Sequence, residues 1–282
     1  MENTSKILVI GSTGNIGSLI AKQLLEKGFQ VRVSSRNPEK LTFKPGFEVV
    51  ALDIDQPETY TNALKNIDKV FMYALGSKLP DFLMEAKEQG VKQVVLLSSG
   101  SVVDAGPDDF NANHHRQAEE AILKLEIPYT FLRPSVFAYN VLSAWKDQIK
   151  FTQTVKMAYP GSFASPIHEK DIADVAVMAL TKEEYLGQEL MLTGPESLTQ
   201  AEEVKTIAAV LGVPLKTVEL SPAEALKITA QFIPQAYAEM RINNLAKADG
   251  KPSLITNIVE QVTHHPARTF RQWVIDNVDS FK

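Results

Sequence analysis

The stretch ILVIGSTGNIGSLIAKQLLEKG, residues 7–28, restricts the chain to few folds. From Lys6 to Ile10 nearly every residue is apolar, which reads as a strand buried on both faces of a parallel sheet. Gly11, Gly14 and Gly17 follow at intervals of three, and Ile16, Leu19, Ile20, Gln23 and Leu24 then recur at helical spacing as far as Gly28, a C-terminal stop. A strand that runs through a glycine turn into a helix aims the unsatisfied N–H groups of the helix N-terminus at the turn, where a phosphate is well held. In this reading Gly11 permits the tight turn, Gly14 lets the backbone approach a pyrophosphate, and Gly17 lets the helix pack closely.

The alternation continues. FQVRVSS, FEVVALD, DKVFMYAL, KQVVLLSS and PYTFLRPS read as strands two to six, separated by helices at TYTNALKNI, LPDFLMEAKEQG and about His114 to Leu125. Strands and helices in this order imply right-handed crossovers and an α/β fold with a doubly wound parallel sheet, the Rossmann type. After Ser135 the rhythm breaks into turn signals, short strands and amphipathic helices. Residues 1–135, with returning segments near 165–195, are expected to form a dinucleotide-binding domain, and 136–282 a smaller mixed α/β lobe that binds substrate.

Charge and composition exclude several classes. A formal net charge of -5 supplies no basic field for a phosphate backbone, so no nucleic-acid partner is expected. The chain has no Cys, which removes disulfides, thiolate metal sites and a cysteine nucleophile and suits a reducing compartment. With apolar residues beginning almost at Met1 and no run long enough to span a bilayer, a cytoplasmic protein without a membrane partner is expected. The pairs His114, His115 and His264, His265 lack the one-face helical spacing of a zinc site, so no metal is expected. Ser99 and Ser101 stand outside any nucleophile elbow, against hydrolase chemistry.

The end of the second strand bears on the nucleotide. An Asp or Glu there would bond the free ribose hydroxyl of NAD, but this chain has Ser34, Ser35, Arg36, Asn37 and, one turn on, Lys40. A guanidinium without a neighbouring carboxylate suits a 2'-phosphate, so NADP(H) is favoured over NAD(H).

Taken together, GSTGNIG, ALDIDQPETYTNAL, HRQAEEAILKLEIPYTFLRPSVFAYN, DIADVAVMAL, LTGPESLT and HPARTFRQWV resemble the NmrA-like branch of the atypical short-chain dehydrogenases/reductases, over nearly the whole chain and most closely its quinone oxidoreductase and triphenylmethane reductase type. The resemblance implies that Ser12, Thr13, Asn15 and Ile16 line the phosphate turn with the glycines. It further implies that Asp53 bonds the adenine amino group, and that Ala74, Leu75 and Gly76 pass beneath the adenosine. Ser98 would then sit near the nicotinamide, with Pro134, Val136 and Phe137 bordering its face and Tyr139 and Asn140 reaching toward substrate. Arg133, before Pro134, reads as a structural charge at a strand end. Tyr73, His168, Phe163 and Trp145 are candidates for an aromatic substrate pocket, with core packing as the default reading for any single one.

One departure bears on mechanism. Typical members of the wider superfamily protonate substrate with a Tyr and hold the cofactor ribose with a Lys four residues later, and those positions align with Asn111 and His115. Asn is no general acid at neutral pH. His115 and Glu119 lie one helical turn apart, so Glu119 either orients the imidazole or forms a structural ion pair. Two functions of different class stay open. One is an NADPH-dependent reductase passing hydride to a quinone or similar electron-poor aromatic acceptor, which tolerates the missing Tyr. The other is a non-catalytic NADP(H) sensor acting through a regulatory protein partner. A homodimer is compatible with either.

Overall fold

A computed structural model describes residues 5–40 and 45–282. Its strands are β1 (Lys6–Val9), β2 (Gln30–Ser35), β3 (Glu48–Ala51), β4 (Lys69–Tyr73), β5 (Gln93–Leu97) and β6 (Tyr129–Pro134), then β7 (Thr154–Met157), β8 (Phe163–Ala164), β9 (Gln188–Leu192), β10 (Leu198–Thr199) and β11 (Lys216–Glu219). The helices are α1 (Gly17–Glu26), α2 (Tyr60–Leu64), α3 (Leu79–Glu88), α4 (Ser101–Asp104), α5 (Phe110–Lys124) and α6 (Asn140–Thr152). They continue with α7 (Glu169–Thr181), α8 (Gln200–Leu211), α9 (Pro222–Thr229), α10 (Gln235–Ala248), α11 (Ile258–Thr263) and α12 (Phe270–Asp276). Among the described residues no helix is long and apolar enough to cross a membrane. The chain divides into two compact units: Met1–Pro134 with Glu169–Leu192 and Gln261–His264, and Ser135–His168 with Thr193–Glu260 and His265–Lys282.

The first unit is built on a seven-stranded sheet, all parallel, in the order β3-β2-β1-β4-β5-β6-β9. This is the doubly wound order with one strand added, and the chain reverses direction of travel between β1 and β4. Both faces are covered. Helices α2, α3 and α5 bring Leu64, Phe82, Leu83 and Ile122 onto one face. On the other, α1 packs against α7, where Gln23 Nε2 donates to Asp174 Oδ1 at 2.7 Å. The central strands are accordingly rich in apolar residues, with Ile7, Leu8 and Val9 fully buried.

Two helix boundaries depart from the sequence reading for local reasons. Helix α5 starts at Phe110, four residues before His114, because the Asp109 side chain accepts the Ala112 N–H at 2.9 Å as an N-cap. Helix α2 ends at Leu64 beside Arg32, a buried guanidinium on β2 whose Nη1 donates to the carbonyls of Asn62, Ala63 and Lys65 and whose Nη2 donates to Glu48 at 2.5 Å. A cation thus takes the C-terminal carbonyls that the helix itself leaves open.

The second unit has its own core, drawn from Trp145 and Ile149 on α6, Val204 and Ile207 on α8, and Phe270, Trp273 and Val274 on α12. Phe270 stacks on Trp273 with centroids 5.8 Å apart, and Phe281 meets Trp273 edge-on at 6.3 Å. Trp145 therefore belongs to this core, in line with core packing as its default reading. Strand β11 pairs in parallel with β7, and β10 pairs antiparallel with β8. Helix α8 opens with a capping box of Thr199 and Glu202.

Glu203, next in the chain, is 6% exposed, and burial pushes its carboxyl up to about 8. Its folded pKa lies above the unfolded value near 4.5, so its contribution to stability is complete below that value and is lost as pH rises toward 8. Glu203→Leu is expected to raise the melting temperature, with a gain that grows from pH 5 to pH 8 by up to about 1.4 kcal/mol per pH unit. Thermal unfolding of both proteins across that range checks it, and a gain independent of pH contradicts it.

Candidate active site

The residues singled out for a nucleotide converge in the first unit at the C-terminal ends of adjacent parallel strands. The glycine turn follows β1, Arg36 follows β2, Asp53 lies two residues beyond β3, Ala74–Gly76 follow β4, Ser98 follows β5 and Pro134 ends β6. Open parallel sheets bind ligands at this edge, at the switch point that here lies between β1 and β4.

The glycines differ in what they face. Gly11 has φ +72°, and a Cβ there would lie 2.4 Å from the Tyr73 ring. At Gly17 a Cβ would come within 2.3 Å of the Gly11 carbonyl oxygen, so helix and turn are in direct backbone contact. Gly14 itself is solvent-exposed, although a Cβ there would crowd the Gly11 oxygen at 3.3 Å. The N–H groups of Asn15 and Ile16 have no acceptor among the described residues. Unpaired donors at the start of a ten-residue helix, beside an exposed glycine, fit a pyrophosphate. Thr13 and Asn15 are exposed, whereas Ser12 is buried and its hydroxyl donates to the Ser34 carbonyl at 3.1 Å, tying the turn to β2.

Arg36 is exposed just past β2 and has no ion pair among the described residues; the Lys40 side chain lies outside them. The Asp53 Oδ1 accepts the Asp55 N–H at 3.0 Å. Leu75 is 61% exposed, next to buried Ala74 and to Gly76.

Four expectations change. The Tyr73 ring packs against Gly11 and its hydroxyl accepts the Gly17 N–H at 3.3 Å, so Tyr73 supports the glycine turn and is no substrate wall. Ser98 is 3% exposed and its hydroxyl donates to Glu119 Oε1 at 2.6 Å, which turns it inward and away from a ligand. Glu119 does not orient His115. Its carboxylate takes Arg133 Nε at 3.0 Å and Nη2 at 2.6 Å, a buried ion pair, and Arg133 also pairs with Glu189. His168, in the second unit, is 3% exposed with Nε2 3.4 Å from Asp276 Oδ2, so it is a buried partner of that carboxylate and not a substrate contact.

Asn111 and His115 lie one turn apart on α5, both half-buried. His115 Nδ1 is buried without a hydrogen-bond partner among the described residues. Burial, with the neighbouring His114, holds the His115 imidazole below its usual pKa, against an opposing pull from Glu119. The shift favours the neutral imidazole, which is a weaker acid than imidazolium. The His114 ring meets His115 edge-on at 5.8 Å and its Nε2 contacts the Ala74 carbonyl.

Of the residues assigned to the second unit, Phe137 bridges to Ile167 and is half-buried, and Val136 is 50% exposed. Tyr139 is 40% exposed at the N-cap of α6, with exposed Asn140 as that helix's first residue.

Residues 11–183 match the family model described as NAD(P)H-binding. The (4-alkanoyl-5-oxo-2,5-dihydrofuran-3-yl)methyl phosphate reductase of Streptomyces griseus subsp. griseus is 31% identical over 280 residues, covering 98% of this chain and 99% of that protein. The Citrobacter sp. triphenylmethane reductase complexed with NADP(H) superposes with a TM-score of 0.84 at 20% identity, covering 96% of this chain and 99% of that one. The NADPH-dependent quinone oxidoreductase of Escherichia coli, complexed with NADPH, gives the same TM-score of 0.84 at 20% identity, with 96% and 99% covered. These likenesses bear out the resemblance to the NmrA-like reductases and the expectation of an NAD(P)H-dependent reductase. The chain belongs to the NAD(P)H-binding family.

Proposed function

We propose that this protein is an NADPH-dependent reductase that transfers hydride to a quinone or a similarly electron-poor aromatic acceptor. The observation that carries the reading is the exposed glycine turn with its unpaired N–H groups, flanked by Arg36, an exposed guanidinium with no carboxylate partner among the described residues. Bound there, the nicotinamide cofactor supplies the hydride. The turn N–H groups of Asn15 and Ile16 hold its pyrophosphate, Arg36 its 2'-phosphate and Asp53 its adenine, with Leu75 beneath the adenosine. In the second unit Phe137, Tyr139 and Asn140 are assigned to the acceptor.

The acceptor class follows from what α5 lacks. Asn111 is no general acid, and burial that lowers the His115 pKa makes the imidazole a poor one. An acceptor that delocalises the incoming charge takes its protons from water, and the protein then contributes chiefly positioning. The sensor reading is favoured by exposed Ile228, Phe232 and Tyr237 within ten residues of the second unit, the sort of apolar surface a protein partner covers. A panel of quinones and azo dyes separates the two: NADPH consumption supports the reductase, and binding without turnover supports the sensor.

Three outcomes are expected. NADPH should bind more tightly than NADH, and Arg36→Ala should remove most of a roughly tenfold to hundredfold difference, as charge-assisted hydrogen bonds imply. Calorimetry checks this, and equal wild-type affinities refute it. Gly14→Val should abolish nucleotide binding while the circular dichroism stays that of a folded protein; unchanged affinity would leave the glycine turn with a purely structural role. His115→Ala should retain a single-turnover rate of NADPH oxidation within about tenfold of wild type, whereas a lost general acid would cost roughly 100-fold to 10,000-fold.

A further inference from the structure

Helix α5 is fastened to the sheet by one partly buried charge cluster, in which Glu119 is buried, Arg133 half-buried and Glu189 exposed, and its Ser98 and Arg133 lie at the strand ends that form the candidate site. The Glu119 carboxylate, 6% exposed, accepts three hydrogen bonds, one from Ser98 at the end of β5 and two from the Arg133 guanidinium on β6. The remaining arm of the same guanidinium reaches Glu189 on β9. Three neighbouring strands and one helix therefore meet at two ion pairs that share Arg133, all within the first unit.

A pair of this kind is a poor source of net stability. Removing both charges from water offsets most of their attraction, and well-packed apolar residues of similar volume often replace such a pair with no loss. Its distinguishing property is geometric. A guanidinium that grips a carboxylate through two parallel bonds has one favoured arrangement, whereas apolar side chains tolerate sliding. Asn111 and His115 precede Glu119 by two turns and one turn on α5, so whatever fixes Glu119 fixes the height of both against the sheet.

We infer that Glu119 and Arg133 are positioning residues for the reductase reaction: the pair sets the height and rotation of α5 against the ends of β5 and β6. The inference rests on the reading of this edge as the nicotinamide end of a reductase site. It is compatible with a mild effect of His115→Ala, because deleting one side chain leaves the helix in place, whereas releasing Glu119 moves the whole wall.

The test is the double variant Glu119→Met/Arg133→Met in the full chain, compared with wild type in melting temperature and in steady-state oxidation of NADPH by menadione. The expected result is a melting temperature equal to or above that of wild type together with a kcat lower by roughly tenfold to a hundredfold and a nearly unchanged KM for NADPH. A folded double variant with wild-type kcat overturns the inference, and so does a double variant that fails to fold, since the pair is then a stability element. Arg133→Lys keeps the charge and loses the two-pronged grip; it should also lower kcat, and wild-type kcat in that variant is a second contradiction. Failure of wild type to reduce any acceptor counts against the proposed acceptor and not against the pair. The enhanced fluorescence of bound NADPH then carries the comparison: it should be weaker in the double variant, and equal emission overturns the inference.

Discussion

The cofactor end of this molecule depends on one backbone contact. The first residue of α1 approaches the Gly11 carbonyl so closely that a Cβ at Gly17 would stand 2.3 Å from its oxygen. That contact presses the helix N-terminus against the turn after β1, and the Tyr73 hydroxyl accepts the Gly17 N–H from behind. Tyr73 fills the rear of the turn, Thr13 to Asn15 are exposed to solvent, and the donors of Asn15 and Ile16 have no acceptor among the described residues. The anion site is thus a by-product of how tightly strand and helix must pack.

Further along the same sheet edge, polar groups have been taken out of circulation. Ser98, Glu119 and Arg133 satisfy one another, and burial lowers the pKa of His115. This part of the edge therefore offers few groups suited to donating a proton at neutral pH. Chemistry that proceeds by placement suits such an edge better than chemistry that requires an acid, and this is the physical link between the fold and the proposed acceptor class.

How much was legible in the sequence follows from the range of each interaction. The β1–turn–α1 unit was legible because its signal is local: apolar run, three glycines, helical periodicity. The doubly wound parallel sheet was legible because strands and helices alternate along the chain and such crossovers have one hand. The start of α5 carried a readable signal in Asp109, a good N-cap residue, which the periodicity of the later residues obscured. Strand β11 was not legible, because every one of its residues is exposed and so it lacks the alternation that marks a half-buried strand. Nor were the partners of Glu119 and Arg32. Arg133 is 14 residues from Glu119, and Arg32 reaches carbonyls about 30 residues away, so only the folded chain brings them together. A charged residue inside the apolar strand QVRVSS was the one hint that a buried partner existed. Tyr73 and His168 were misjudged for the same reason, since an aromatic ring in sequence does not reveal whether it fills a core or lines a pocket.

The most direct test of the account is a single-turnover measurement with menadione as acceptor, using NADPH deuterated in turn at each face of nicotinamide C4. Direct hydride transfer from a cofactor held in one orientation predicts a primary isotope effect for one deuterated face and none for the other. An equal effect from both faces, or no oxidation of bound NADPH by any quinone or azo dye, would contradict it.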